Sequence, residues 1–236
     1  IKRNGANFDL NPFSKEEEEL IGLNTNFRNS LFFNRGKQHH STTYSFLLNE
    51  SQNLLSVGSI SAKNQSHQLQ YQHLVKKSWL FNFSGSTTST ESTSENYPNR
   101  NFEIDGYQIE PKIGYLFSKN ASWDIFYEFQ QKENQIGAFE TLKQTRLGTS
   151  FTFNSEKGFS MNGEFSMYNN SYDGNALSAV GFQMLEGLQP GKNQTWRLLL
   201  QKNLTQYLDV NINYQGRNSE TSKTIHTGNV QLRAFF

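Results

Sequence analysis

The stretch LDVNINYQ places Leu208, Val210, Ile212 and Tyr214 on one side of the chain and Asp209, Asn211, Asn213 and Gln215 on the other. Successive side chains of a β-strand point to opposite faces, so a strict period of two marks a strand with one apolar and one polar face. The same template recurs at Trp123, Ile125, Tyr127 and Phe129 against Asp124, Glu128 and Gln130. It appears again at Trp79, Phe81 and Phe83, at Phe159, Met161, Phe165 and Met167, and at Trp196, Leu198 and Leu200. Helical spacing is nowhere sustained, and no apolar run approaches the roughly 18 residues of a membrane helix. An all-β fold is expected and a helical membrane protein is excluded.

Composition sharpens this reading. Only 34% of the residues are hydrophobic and the mean hydropathy is -0.72, yet 14% are aromatic, and disordered chains are poor in aromatics. Lys+Arg 22 against Asp+Glu 21 leaves a net charge of +1. No global field points to nucleic acid. The absence of cysteine excludes disulfides, zinc thiolates and cysteine nucleophiles. Residues 1–236 read as a single domain, and the opening IKRNGANFDL, without an initiator Met or an apolar signal segment, reads as the start of a piece of a longer chain.

The punctuation between strands comes in two sizes. Short turns are expected at RGKQHH (Arg35 to His40), VKKS (Val75 to Ser78), SKNAS (Ser118 to Ser122), NSEKG (Asn154 to Gly158) and KNLTQ (Lys202 to Gln206). Longer Ser/Thr/Asn/Gly stretches, expected as loops, span 49–65, 84–100, 132–138, 168–192 and 216–223. Their alternation is the pattern of an up-and-down antiparallel transmembrane barrel whose two ends face different surroundings. Aromatics crowd the short turns: Phe33, Tyr44, Trp79, Phe117, Trp123, Phe153, Phe159 and Tyr207. At strand ends an amphipathic ring suits the headgroup depth, so these eight are expected to form an interfacial girdle.

The chain ends VQLRAFF. This segment resembles the carboxyl-terminal strand of bacterial outer-membrane β-barrels, with Val230, Leu232, Ala234 and Phe236 on the lipid face and Gln231 and Arg233 on the other. The resemblance implies that these four residues are the signal read by the barrel-assembly machinery. More broadly, MLEGLQPGKNQTW, LTQYLDVNINYQGR and IHTGNVQLRAFF resemble the carboxyl-terminal barrel region of large outer-membrane or surface proteins of Bacteroidota, which implies a barrel at the end of a longer chain and carries over no catalytic residue.

Loop parity sets the strand number. If the last strand runs down from Thr224, then 206–216 runs up, 196–202 runs down and 159–169 runs up. The long stretch 168–192 is then a single outer loop, containing at most a hairpin at ALSAVGFQ that does not cross. Eleven crossings follow, the first near 20–34. An upward strand must precede it, for which ANFDLNPF is the candidate. About 12 strands are expected, with 10 or 14 as the alternatives.

Motifs that could carry chemistry are weak. KEEEE (Lys15 to Glu19) reads as a solvated outer loop. His67 and His73 lie on one strand face but roughly 20 Å apart, too far to share a metal, while His39 and His40 fall in a short turn. Asp173-Gly174-Asn175 lacks the spaced oxygens and closing Glu of a calcium loop, and Gly191-Lys192 lacks the second glycine of a phosphate loop. Asn-x-Ser/Thr matches such as Asn120-Ala121-Ser122 and Asn203-Leu204-Thr205 are expected by chance in a chain this rich in those residues. No strand carries a His with a Ser two positions away, so no nucleophile with its base is visible. No enzymatic activity, catalytic residue, metal or cofactor is expected. The leading expectation is an outer-membrane anchor or structural subunit of a cell-envelope complex. Its partners would be outer-membrane lipid, the assembly machinery and other envelope or secretion-complex subunits, with no nucleic acid. The inward Arg146, Glu164, Arg197 and Arg233 are long enough to cross-link a narrow lumen. A passive small-solute channel is the alternative, and a secreted glycan-binding β-sandwich is a third.

Overall fold

The computed structural model describes residues 2–3, 22–35, 39–55 and 58–234. Among the described residues twelve strands follow one another in a single sheet, each paired antiparallel with its neighbour in sequence. They are β1 (Lys2–Arg3), β2 (Gly22–Phe33), β3 (His40–Leu55), β4 (Gly58–Val75), β5 (Trp79–Ser94), β6 (Phe102–Ser118), β7 (Ala121–Asn134), β8 (Thr141–Ser155), β9 (Phe159–Asp173), β10 (Gly191–Thr205), β11 (Leu208–Ser219) and β12 (Ser222–Ala234). The fold is all-β and up-and-down, as the alternating loop lengths predict. The sheet edges at β1 and β12 are not paired with each other among the described residues. All strands belong to one sheet rather than two packed face to face, which removes the β-sandwich alternative. A two-residue strand at Lys2–Arg3 pairs against Asn24 and Leu23, whereas ANFDLNPF, the candidate for the expected upward strand, and KEEEE lie outside the described residues.

Three expectations are corrected. The polar stretches 49–65, 84–100 and 216–223 are largely strand: β3 and β4 stay paired up to Leu55 opposite Gly58, β4 and β5 up to Ile60 opposite Ser94, and β11 and β12 up to Ser219 opposite Ser222. Loss of apolar alternation there marks the end of the apolar band, not the end of the ladder, because backbone pairing does not require greasy side chains. Cross-strand hydroxyl pairs such as Ser61 and Thr93, 2.6 Å apart, accompany it. Second, His40 opens β3 and Lys202 to Thr205 end β10 rather than sitting in turns. Third, ALSAVGFQ does not form a hairpin. It lies over the start of α1 (Ala179–Leu185), the one helix of more than a single turn among the described residues.

Helix α1 is local chemistry completed by packing. Ser178 caps it, accepting a hydrogen bond from the Gly181 N–H at 3.0 Å. Glu186 at φ 53 and Gly187 at φ 79 turn the chain out of it. Seven residues are too few to be helical alone in water, so packing must hold it. Val180, Met184 and Leu185 bury against Ile104 of β6 and Leu142 of β8, with Phe102, Tyr172 and Ala176 around them. Leu142 is fully buried.

Candidate functional site: a polar inner wall beneath an infolded loop

The cross-strand register sorts side chains onto two faces. Trp79 stands opposite Tyr115, Tyr115 opposite Trp123, and Ile113 opposite Ile125. Tyr127 stands opposite Leu147, Leu198 opposite Tyr214, and Ile212 opposite Val230. These side chains share the outer face, where large apolar groups are broadly exposed. On β6 the outward apolar run extends from Tyr107 to Phe117. Ten residue steps span about 33 Å along a strand, or about 25 Å vertically at a tilt near 40°, matching the apolar band of a transmembrane barrel. Beyond that height the outward side chains turn polar, at Glu50, Lys63, Glu91 and Asp105.

Close approach of aromatic rings requires glycine on both faces. On the outer face the Trp196 ring lies across Gly216, where a Cβ would meet the indole Cε2 at 2.3 Å. On the inner face Phe126 lies across Gly148 in the same way, a Cβ there meeting the ring Cζ at 2.3 Å. The guanidinium of Arg146 stacks 4.5 Å above the Phe126 ring centroid.

Arg146 is the hub of a charged chain running laterally along the inner wall. It reaches Glu128 of β7 at 3.3 Å, Glu164 of β9 at 2.6 Å and the Ser166 hydroxyl at 3.1 Å. Glu164 also meets Arg197 of β10 at 3.5 Å. Glu128, Arg146, Glu164 and Arg197 therefore link neighbouring strands; the expectation that long inward side chains would bridge the interior from wall to wall is replaced by this lateral chain. Arg233 stands opposite Asp209 on the same inner face, in the β11–β12 pair.

Above this chain, residues 174–190 between β9 and β10 fold inward and are tied to the wall. Lys132 of β7 donates to the Met184 carbonyl at 3.2 Å and pairs with Glu186 at 2.5 Å. Asn170 and Asn193 both donate to the Gln189 carbonyl, at 2.9 and 2.7 Å. Arg217 of β11 donates to the Gly187 carbonyl at 3.1 Å. Gln144 and Asn170, both buried, bond each other at 2.9 Å beneath the loop. Outside the band, the Ser59 N–H and hydroxyl donate to the Glu95 carboxylate at 3.0 and 2.9 Å. Those bonds hold its carboxyl below the usual carboxylate range.

The residues singled out in the sequence fall as follows. Phe33, Tyr44, Trp79, Phe117, Trp123, Phe153 and Phe159 lie in strands on the outer face towards the short turns, and Tyr207 lies in the β10–β11 turn. The Phe153 and Phe159 rings are 6.1 Å apart and the Tyr115 and Phe117 rings 4.9 Å apart. Trp79, Ile113, Tyr115, Phe117, Trp123 and Ile125 enclose an apolar groove. Val230, Leu232 and Ala234 share the outer face of β12, and Phe236 lies outside the described residues. His67 also faces outward, its Nδ1 2.8 Å from the Tyr44 hydroxyl. His226 repeats that arrangement with Tyr214 at 2.8 Å. Sequence reasoning missed α1 and its anchors Lys132, Asn170, Asn193 and Arg217. The spacing of Val180, Met184 and Leu185 was their one signal.

No protein-family model matches the chain, and no curated protein matches it in sequence. Among solved structures it is similar to the beta domain of the Bordetella autotransporter Brka, at 7% identity and a TM-score of 0.45, over 91% of this chain and 90% of that one. It is similar to the transport unit of the autotransporter AIDA-I from Escherichia coli, at 10% identity and a TM-score of 0.39, over 91% and 84%. It is also similar to the KdgM porin, at 10% identity and a TM-score of 0.33, over 91% and 100%. These are likenesses of strand layout, and no residue role is transferred from them.

Proposed function

We propose that the chain is an outer-membrane β-barrel module serving as an anchor or structural subunit of a cell-envelope assembly, its interior occupied rather than open. The observation that carries this reading is the pairing of an outward apolar band with an inner wall whose charged half is neutralised laterally and roofed by residues 174–190. On this reading the eight aromatics near the short turns are the girdle, and Val230, Leu232, Ala234 and Phe236 form the assembly signal. A porin-like channel is the second reading, favoured by the inner faces of β4 and β5. These carry neutral Gln68, Gln70, Gln72, Asn82 and Ser84, of which Gln70 and Gln72 are exposed. Planar-bilayer recording separates the two. The anchor reading expects no stable large steps from the wild type, and steps when residues 175–189 are replaced by a short Gly-Ser turn. Stable steps from the wild type would promote the channel.

A further inference from the structure

Between the outgoing arm of the infolded loop and the inner wall of β9–β12 lies a cleft of ≈ 450 Å³. Glu186 to Leu188 form one side, and Glu164, Arg197 and Arg217 are among the groups on the wall. Arg197 stands opposite Gln215, and Arg217 opposite Thr195, so the two arginines are diagonal neighbours on adjacent strands. At that spacing, about 7–8 Å between backbones, their side chains can address one ligand.

The cleft is lined by as many acids as arginines, but the acids do not saturate the arginines. Both acids on its rim are already held from behind: Glu164 by Arg146 at 2.6 Å and Glu186 by Lys132 at 2.5 Å. Arg197 retains a 3.5 Å contact with Glu164 while its side chain is 60% exposed. Arg217 bonds the uncharged Gly187 carbonyl. Each guanidinium has five N–H donors in a planar fork suited to carboxylate, and most of those donors remain unspent here. Gln215, Thr195 and Thr227 add polar groups, and Leu188 and Ile225 an apolar edge.

We infer that this cleft binds a small organic anion, one carboxylate of which is gripped by Arg197 and Arg217. The site depends on the folded loop and the β10–β11 wall, not on whether the barrel anchors or conducts, so it can fail independently of the function proposed above.

The test is calorimetric titration of the full chain, refolded in detergent, with citrate and with benzoate as probes. The wild type is expected to bind at least one of them saturably with 1:1 stoichiometry, and less tightly as salt rises. Arg197→Gln and Arg217→Gln should each weaken binding about tenfold or more, the scale of a lost charge-assisted hydrogen bond. Arg217→Lys, which keeps the charge but loses the fork, should fall between. Arg28→Gln, an inward arginine on β2 that does not line the cleft, should leave binding unchanged. Heat resistance on gels confirms that each variant is folded. No saturable binding of either probe, or equal weakening by Arg28→Gln, would overturn the assignment.

Discussion

Met184 is the residue through which the infolded loop can be detached without touching the sheet. Its side chain is 1% exposed, packed with Leu185 on Ile104 and Leu142. The lysine that reaches its position bonds the backbone carbonyl, so Met184→Ala keeps every hydrogen bond and removes only packing. Truncations of this kind typically cost about 2–5 kcal/mol. Because a seven-residue helix has no independent stability, nearly all of that should fall on the docking equilibrium of residues 174–190. The open population should rise by a factor of about 30 at the lower end of that range. Hydrogen–deuterium exchange with mass spectrometry, on protein refolded in detergent, reads this directly. Peptides covering 178–188 should lose protection by that factor while peptides of β7 and β8 keep theirs. Leu177→Ala, in the same loop but 92% exposed, should change neither. Unchanged protection in Met184→Ala would mean that the apolar contact does not hold the loop. Equal loss in β7 and β8 would mean that loop and sheet open as one unit.

Two further outcomes follow from the sorting of faces and from the charged chain. Ile212→Arg, on the outer face opposite Val230, should destabilise the barrel in lipid by roughly 2–4 kcal/mol and Asn211→Arg by much less; urea unfolding in vesicles with the two effects reversed would place the register wrong by one residue. Arg146→Met strands Glu128, whose residue is only 6% exposed, and should cost about 3–5 kcal/mol, with much of it recovered in Arg146→Met/Glu128→Met; a double variant no more stable than the single one would show that the ion pair is not what Arg146 contributes.

The strands were legible where two solvents meet across the sheet. Along Leu208 to Gln215 the outer positions are apolar and the inner positions polar, so period and face can both be read. The same clarity fails at 49–65, where both faces are wet: Lys63 and Glu91 face outward, Asn64 and Thr90 inward, and nothing in the side chains distinguishes a paired strand from a loop. Paired backbone reveals itself there only through its partner strand. The loop 174–190 was illegible for a different reason. Its helix is shorter than the 11–18 residues over which periodicity is decided, and the surfaces that stabilise it, Ile104 and Leu142, are remote in sequence. Those two residues are visible in their strands as inward apolar exceptions on a polar face, and an inward Ile or Leu in a barrel strand asks to be covered.

The position of the loop then follows from the composition of the wall. On β3 to β5 the inner side chains below the long-loop end are mostly Ser, Thr, Asn and Gln, groups that water satisfies and that need no cover. On β7 to β10 the wall carries Lys132, Glu128, Arg146, Glu164 and Arg197, with Ile104 and Leu142 beside them. A segment settling there gains twice: it removes apolar surface from water, and its carbonyls and Glu186 accept from cations that the wall's own acids leave partly unmet. Settling on the neutral side would give it no such cations. The same inequality explains why the cover stops where it does. The loop reaches the wall through Lys132, Asn170, Asn193 and Arg217, and at its outgoing end the two arginines still hold more donors than it can accept.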